Sequence, residues 1–124
     1  MTTKILVMDD EVDTLNMLAM TLRFAGYEVA TATTGQKALA VCDEFKPDLI
    51  FLDVMMPDVS GIDVLKTLKQ RKPDLPPVVF LSASIRSDDI EAGLAAGAHT
   101  YLVKPVLRQK LIETVKSALA SKSG

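Results

Sequence analysis

The sequence lacks the cysteines that would be needed for disulfide bonds to stabilise the fold in addition to a hydrophobic core. Only one of its 124 residues is a cysteine, so an intrachain disulfide is excluded. That residue, Cys42, lies in a segment of helical spacing, and we interpret it as a small buried apolar residue. The first apolar run, Ile5–Met8, is too short for a signal peptide, and no run is long enough to cross a membrane. We therefore expect a soluble cytoplasmic protein.

A strong charge of one sign is also absent. Fourteen basic and sixteen acidic side chains leave a formal net charge of -2, which excludes a broad basic face for nucleic acid on this domain. Neither a Walker loop nor a G-x-G-x-x-G motif occurs, so a nucleotide-binding fold is disfavoured. No linker, low-complexity tract or internal repeat divides the chain. With 48% hydrophobic residues, we expect one domain over residues 1–124, with a core over about residues 4–119.

Five short apolar runs alternate with segments of helical spacing. The runs are Ile5–Met8, Val29–Ala32, Leu49–Leu52, Val78–Leu81 and Tyr101–Val103. The first, third and fourth are nearly continuous, which is typical of strands buried on both faces. Strand–helix alternation predicts parallel strands joined by right-handed crossovers, with helices on both faces of the sheet. The pattern is that of a doubly wound α/β fold in three layers.

Apolar residues spaced by three or four predict the buried faces of the helices. In the first helix these residues are Val12, Leu15, Leu18 and Leu22. In the last helix they are Leu107, Leu111, Val115 and Leu119. Three methionines, Met17, Met20 and Met56, are interpreted as packing residues rather than ligands.

Polar residues follow the predicted strands. The first strand leads into Asp9 and Asp10, the third into Asp53, the fourth into Ser82 and the fifth into Lys104. Parallel strands bring their carboxyl ends to one edge, where ligands of this fold class bind. Two carboxylates about 4 Å apart repel by about 4 kcal/mol at an effective dielectric constant of 20, so a proton or a cation must offset the charge. A few oxygen ligands, with room for water and phosphate, favour Mg²⁺ over Ca²⁺.

Four motifs occur in a fixed order around these residues. They are Ile5–Glu11, Asp53–Gly61, Leu81–Ala83 and Ala96–Pro105. Together they resemble the receiver domains of two-component response regulators, and the resemblance covers about Lys4 to Leu119. It implies a flavodoxin-like (βα)5 sandwich with a five-stranded parallel sheet in the order 2-1-3-4-5.

The resemblance also implies a role for each residue at the sheet edge. Asp53 matches the residue that accepts a phosphoryl group, forming an aspartyl phosphate. Asp9, Asp10, Asp53 and the backbone carbonyl of Met55 match the Mg²⁺ site, with Asp9 acting mainly through water and with Mn²⁺ as a substitute ion. Lys104 would pair with a phosphoryl oxygen, and we expect a cis peptide bond between Lys104 and Pro105.

Two further pairs of residues match the conformational switch and the turnover of the phosphoryl group. Ser82 resembles the switch hydroxyl, and Tyr101 the aromatic residue that moves between exposed and buried positions. Met55 and Ser84 occupy positions that tune spontaneous dephosphorylation in the family. Because a methionine side chain cannot orient an attacking water by hydrogen bonding, we expect slow self-hydrolysis.

The implied function is a signalling switch rather than an ordinary enzyme. Its phosphoryl donor would be a histidine kinase or a phosphotransfer protein, and its output partner or fused effector would bind the fourth helix, fifth strand and fifth helix. A stand-alone regulator and a domain of a larger regulator or hybrid kinase both remain open. One alternative is a phosphohydrolase of the haloacid dehalogenase type, but its Asp-x-Asp motif is not matched by Asp9–Glu11. Another is a receiver-like binding module that is not phosphorylated.

Overall fold

The computed structural model describes residues 2–55, 59–71, 74–83 and 86–123, so the interpretations of Met56 and Ser84 lie outside the described residues. Strands and helices alternate along the chain. They are β1 (Lys4–Met8), α1 (Val12–Phe24), β2 (Glu28–Ala32), α2 (Gly35–Phe45), β3 (Leu49–Asp53), α3 (Gly61–Arg71), β4 (Val78–Ser82), α4 (Ser87–Ala95), β5 (Thr100–Val103) and α5 (Arg108–Ser123). Within the described ranges, no helix has the length and hydropathy needed to span a membrane.

The five strands form one parallel sheet in the order β2-β1-β3-β4-β5, which confirms the predicted fold. The chain leaves β1 toward β2 on one side, whereas β3, β4 and β5 extend the sheet on the other. The strand order therefore reverses between β1 and β3. A crevice for ligands is expected outside the carboxyl ends of the strands at this point.

Alternate residues of the central strands build a hydrophobic core on each face of the sheet. Ile5, Val7 and Phe51 pack on one face with residues of α1 and α5. Leu6 and Phe80 lie on the opposite face, with residues of α2 and α3. This alternation follows from the two-residue period of a strand. Because both faces are covered, the central strands are apolar throughout until a polar residue marks the edge of the sheet.

Local signals in the sequence set several helix ends. After α1, Gly26 adopts a φ of 98°, a left-handed conformation that costs glycine little. The Thr34 side chain accepts a hydrogen bond from the Lys37 N–H at 3.1 Å and caps α2. Ser60 does the same for α3 by accepting from the Asp63 N–H at 3.1 Å. These caps fix where the loops near the sheet edge begin.

Four of the predicted packing residues are exposed instead. Val12 is 55% exposed, and Leu107 is 74% exposed and precedes the first residue of α5. Met17 and Met20 are 61% and 60% exposed, so their interpretation as packing residues was wrong. The buried face of α1 consists of Leu15, Leu18, Ala19 and Leu22. The helix therefore carries apolar residues on both faces, and spacing alone assigned too many of them to the core.

Candidate functional site

Three carboxylates meet where β1 and β3 end. Asp9 and Asp10 directly follow β1, and Asp53 is the last residue of the neighbouring strand β3. One carboxylate oxygen from each of the three lies within 4.8 Å of the others. Asp9 is fully buried and Asp53 is 4% exposed, whereas Asp10 faces solvent. The cluster thus has a buried floor and one open side.

Lys104 reaches this cluster from the end of β5. Its Nζ atom lies 2.6 Å from Asp9 Oδ2 and 2.7 Å from Asp53 Oδ2. The lysine main chain is held next to β4, because its N–H donates to the Ser82 carbonyl at 2.8 Å. The expected cis peptide bond between Lys104 and Pro105 is present. The strands β3 and β5 lie on opposite sides of β4, and their ends contribute the negative charge of Asp53 and the positive charge of Lys104 to one site.

Main-chain hydrogen bonds orient the two buried carboxylates. The Glu11 N–H donates to Asp9 Oδ1 at 2.9 Å, and the Met55 N–H donates to Asp53 Oδ1 at 2.9 Å. Each aspartate thus closes a short turn on a residue two positions later. Among the described residues, no hydrogen bond of good geometry reaches Asp9 Oδ2, although the Lys104 ammonium lies beside it. We therefore treat this contact as a charge pair rather than as an aligned hydrogen bond.

Burial and charge act on the titration of this site in opposite directions. Burial raises the pKa of Asp53, and the hydrogen bonds from Lys104 and Met55 offset only part of this effect. Burial lowers the pKa of Lys104, but the hydrogen bond to Asp53, the close contact with Asp9 and the charges of both carboxylates outweigh burial, so its pKa lies above the ordinary value. Lys104 is therefore a cation at neutral pH, and each of its ion pairs is worth about 6 kcal/mol of Coulomb energy at an effective dielectric constant of 20.

The donor set fits a hard divalent cation. Three carboxylates against one ammonium leave the site negative, and Asp9 Oδ2 keeps a lone pair that no aligned hydrogen bond occupies among the described residues. Oxygen ligands with an open side suit a cation that keeps water or a phosphate oxygen in its coordination sphere. The site could therefore hold such a metal ion through Asp9, Asp10 and Asp53.

Ser82 and Tyr101 occupy different positions relative to the acidic cluster. Ser82 is buried at the end of β4, one residue beyond the position that pairs with Asp53. Tyr101 does not join the cluster; it is half-buried against the core on the α3 face of the sheet. A Cβ atom at Gly93 of α4 would lie 3.3 Å from the Tyr101 ring and 2.9 Å from the Phe80 ring. The tyrosine ring therefore packs where a glycine lets α4 approach the sheet.

Two features of the site were missed in the sequence. A Cβ at Gly61 would overlap the main-chain carbonyl oxygen of Asp53, so only glycine fits at the start of α3. The pairing of Lys104 with Asp9 was also not predicted, since the lysine was expected to bind a phosphoryl oxygen. The Ser60-Gly61 step before a helix was the one available signal for the first feature. Only the folded strand order could reveal the second.

The chain is similar in sequence to known proteins. A sequence model of the response regulator receiver domain matches residues 5–116. The transcriptional regulatory protein PrrA of Mycobacterium tuberculosis is 45% identical over 116 residues, which are 94% of this chain and 49% of PrrA. The alkaline phosphatase synthesis transcriptional regulatory protein PhoP of Bacillus subtilis is 41% identical over 119 residues, covering 96% of this chain and 49% of PhoP. The chain spans about half the length of these relatives.

Solved structures show the same fold. A CheY-like receiver domain protein from Methanospirillum hungatei superposes with a TM-score of 0.92 at 28% identity, covering 99% of this chain and 98% of that chain. The chemotaxis response regulator CheY4 of Vibrio cholerae superposes with a TM-score of 0.88 at 33% identity, covering 96% of this chain and 100% of CheY4. With the matched sequence model and the acidic edge of the sheet, these similarities lead to one conclusion: the chain belongs to the response regulator receiver domain family.

Proposed function

We propose that Asp53 accepts a phosphoryl group from the phosphohistidine of a partner histidine kinase or phosphotransfer protein. The observation that carries this proposal is a buried aspartate, paired with Lys104 at 2.7 Å, inside a three-carboxylate cluster at the carboxyl edge of the sheet. An Asp53 oxygen would attack phosphorus as the bond from phosphorus to the donor imidazole breaks. The imidazole leaves with the bonding electrons and takes up a proton, and a mixed anhydride forms on Asp53.

The residues around Asp53 support this transfer. Asp9, Asp10, Asp53 and the Met55 carbonyl would hold Mg²⁺, with Mn²⁺ as a substitute, and the bound ion would supply neutralisation of the charge on the transferred group. The Met55 N–H, at 2.9 Å from Oδ1, holds the Asp53 carboxylate in one orientation. Lys104 already lies against both buried carboxylates, so a short movement of its flexible side chain would bring its charge to a phosphoryl oxygen.

Signal output would come from a shift between two conformations. Ser82 would bind the phosphoryl group, and Tyr101 would change its burial beside α4. The Lys104 N–H donates a hydrogen bond to the Ser82 carbonyl and connects the ends of β4 and β5, which supports a link between the two responses. We place the output surface on α4, β5 and α5. PrrA and PhoP are transcriptional regulators by name, and we propose output through an effector, fused or separate, rather than through nucleic-acid binding by this domain.

We also propose the extent of the domain, its location and a slow rate of self-dephosphorylation. Residues 1–124 would act as one domain, with its core over about residues 4–119. Because the proposed donor is a histidine kinase or phosphotransfer protein, we also propose a cytoplasmic location. The Met55 side chain is 73% exposed and has no group that could hydrogen-bond an attacking water well, which supports slow self-dephosphorylation. A phosphoryl lifetime of seconds would contradict that part of the proposal.

Phosphorylation by a small donor tests the main proposal without any partner. The protein would be incubated with acetyl phosphate, with Mg²⁺ or with EDTA, and analysed by intact mass spectrometry. We expect one phosphoryl adduct that requires Mg²⁺, that is lost in Asp53→Ala and that is kept in Asp63→Ala, a control for an exposed aspartate on α3. A protein that takes up no phosphoryl group with Mg²⁺ present would instead be a binding module.

A further inference from the structure

The outer face of α1 carries a stripe of apolar side chains that no part of the described chain covers. Met17, Met20 and Phe24 are 61%, 60% and 83% exposed. With Val12 included, α1 holds four of the eight large hydrophobic residues that are exposed among the described residues. The opposite face of the same helix is fully buried against the sheet. A helix that is apolar on both faces indicates a second contact surface.

The three side chains form a single continuous stripe. Residues three and seven positions apart lie on nearly the same side of an α-helix, so Met17, Met20 and Phe24 fall within an arc of about 60° and a length of about 10 Å. Phe24 is the most exposed of them and stands at the last turn. The side chains of Asn16, Met20, Arg23 and Phe24 also line an open groove on this face. Such a stripe and groove suit another helix rather than a small ligand.

Charges of opposite sign stand at the two ends of this stripe. Asp13 lies in the first turn of α1 and Arg23 in the last. Arg23 is anchored there, because its Nη2 atom donates to the Val29 carbonyl at 3.1 Å, and its guanidinium retains other donors. Asp13 precedes Met17 by four residues, and Arg23 follows Met20 by three. A second α1 in antiparallel orientation would therefore place Asp13 of each copy beside Arg23 of the other, whereas a parallel copy would bring like charges together.

We infer that this chain self-associates through an antiparallel α1–α1 contact around a two-fold axis between Met17 and Met20. The surface is self-complementary, as a two-fold interface requires: methionines pack at the centre, and an Asp13–Arg23 pair closes each end. Phe24 and the two methionines supply less than the roughly 800 Å² per partner of a standard interface, so the dimer is weak. None of these side chains belongs to the acidic cluster, so the association does not depend on phosphorylation.

Sedimentation equilibrium with paired charge reversals tests this inference. The unphosphorylated protein would be measured in EDTA from about 10 µM to about 1 mM, so that the result is independent of the proposed phosphotransfer. We expect the wild-type mass to rise from monomer toward dimer. Asp13→Arg and Arg23→Asp should each weaken association by about tenfold or more, because like charges then face each other at both ends. The double variant Asp13→Arg/Arg23→Asp should recover the wild-type association.

A second variant covers the case in which a charge reversal impairs folding. Met20→Gln keeps the helix and the charges but removes the centre of the stripe, and it should remain monomeric throughout the range. Circular dichroism would verify that each variant is folded. A wild-type protein that stays monomeric at about 1 mM would overturn the inference and would mean that a different protein covers this face. Failure of the double variant to recover association, with both single variants folded, would overturn the antiparallel arrangement.

Discussion

Replacing Lys104 by methionine would remove the only positive charge in contact with Asp9 and Asp53 among the described residues. The apolar stem is kept, so the loss is mainly electrostatic. At a separation of at most 4.8 Å, the two carboxylates repel by at least about 3.5 kcal/mol at an effective dielectric constant of 20. Proton uptake and entering water recover part of this energy. We expect Lys104→Met to lower the free energy of unfolding by about 3 kcal/mol near pH 7 in EDTA, similar to breaking other buried ion pairs.

Urea unfolding in EDTA and in millimolar Mg²⁺ measures this effect. A bound cation should restore more stability to Lys104→Met than it adds to the wild type, because the ion no longer competes with the ammonium for the same oxygens. Lowering the pH should also restore the variant, since the carboxylates then take up protons. The matched control is Lys116→Met, an exposed lysine on α5, which should change stability by less than about 0.5 kcal/mol. Equal stability of Lys104→Met and wild type in EDTA would refute the electrostatic account.

Three further variants test other parts of the site. Asp53→Asn should be more stable than wild type near pH 7 in EDTA, as measured by urea unfolding. Because burial raises the pKa of Asp53, the folded state binds the proton more tightly than the unfolded state does. The stability of the wild type therefore falls as pH rises through that pKa, and the stability advantage of the variant should vanish in acid. A stability advantage that is independent of pH would contradict this. Asp10→Asn should lower Mg²⁺ affinity about tenfold, seen in the Mg²⁺-dependent melting shift, with little change in EDTA because Asp10 is exposed; unchanged affinity would exclude it as a ligand. Gly61→Ala should lower the free energy of unfolding measured in urea by about 2 kcal/mol, because the added Cβ would overlap the Asp53 carbonyl oxygen. An unchanged free energy of unfolding would show that the loop can shift freely.

The sheet and the position of the acidic cluster could be predicted because they depend on local patterns. Continuous apolar runs such as Leu49–Leu52 are typical of strands buried on both faces, and the polar residue after each run marks where the strand leaves the core. Parallel strands place all these ends at one edge, which predicts that Asp9, Asp10 and Asp53 share that edge. That β1 and β3 are neighbours was implied by the resemblance to receiver domains and not by the local patterns.

Features that depend on the third dimension could not be predicted. Met17 and Met20 have the spacing of packing residues, but the sheet covers only the opposite side of α1. Leu107 continues the spacing of α5 by one turn, yet the helix begins at Arg108. The contact of Lys104 with Asp9 joins the ends of two strands that are not neighbours in the sheet, and a lysine stem can reach many positions. In each case, the sequence does not indicate which surface of the folded protein the side chain contacts.

Mapping the position of the phosphoryl group would determine whether Asp53 is the acceptor. After incubation with acetyl phosphate and Mg²⁺, borohydride reduction would convert the acyl phosphate to a stable alcohol, and peptide sequencing by mass spectrometry would locate it. We expect modification of Asp53 alone, and no modification in Asp53→Ala. Modification of Asp9 would contradict it and would indicate instead the chemistry of a phosphohydrolase with its nucleophile after the first strand.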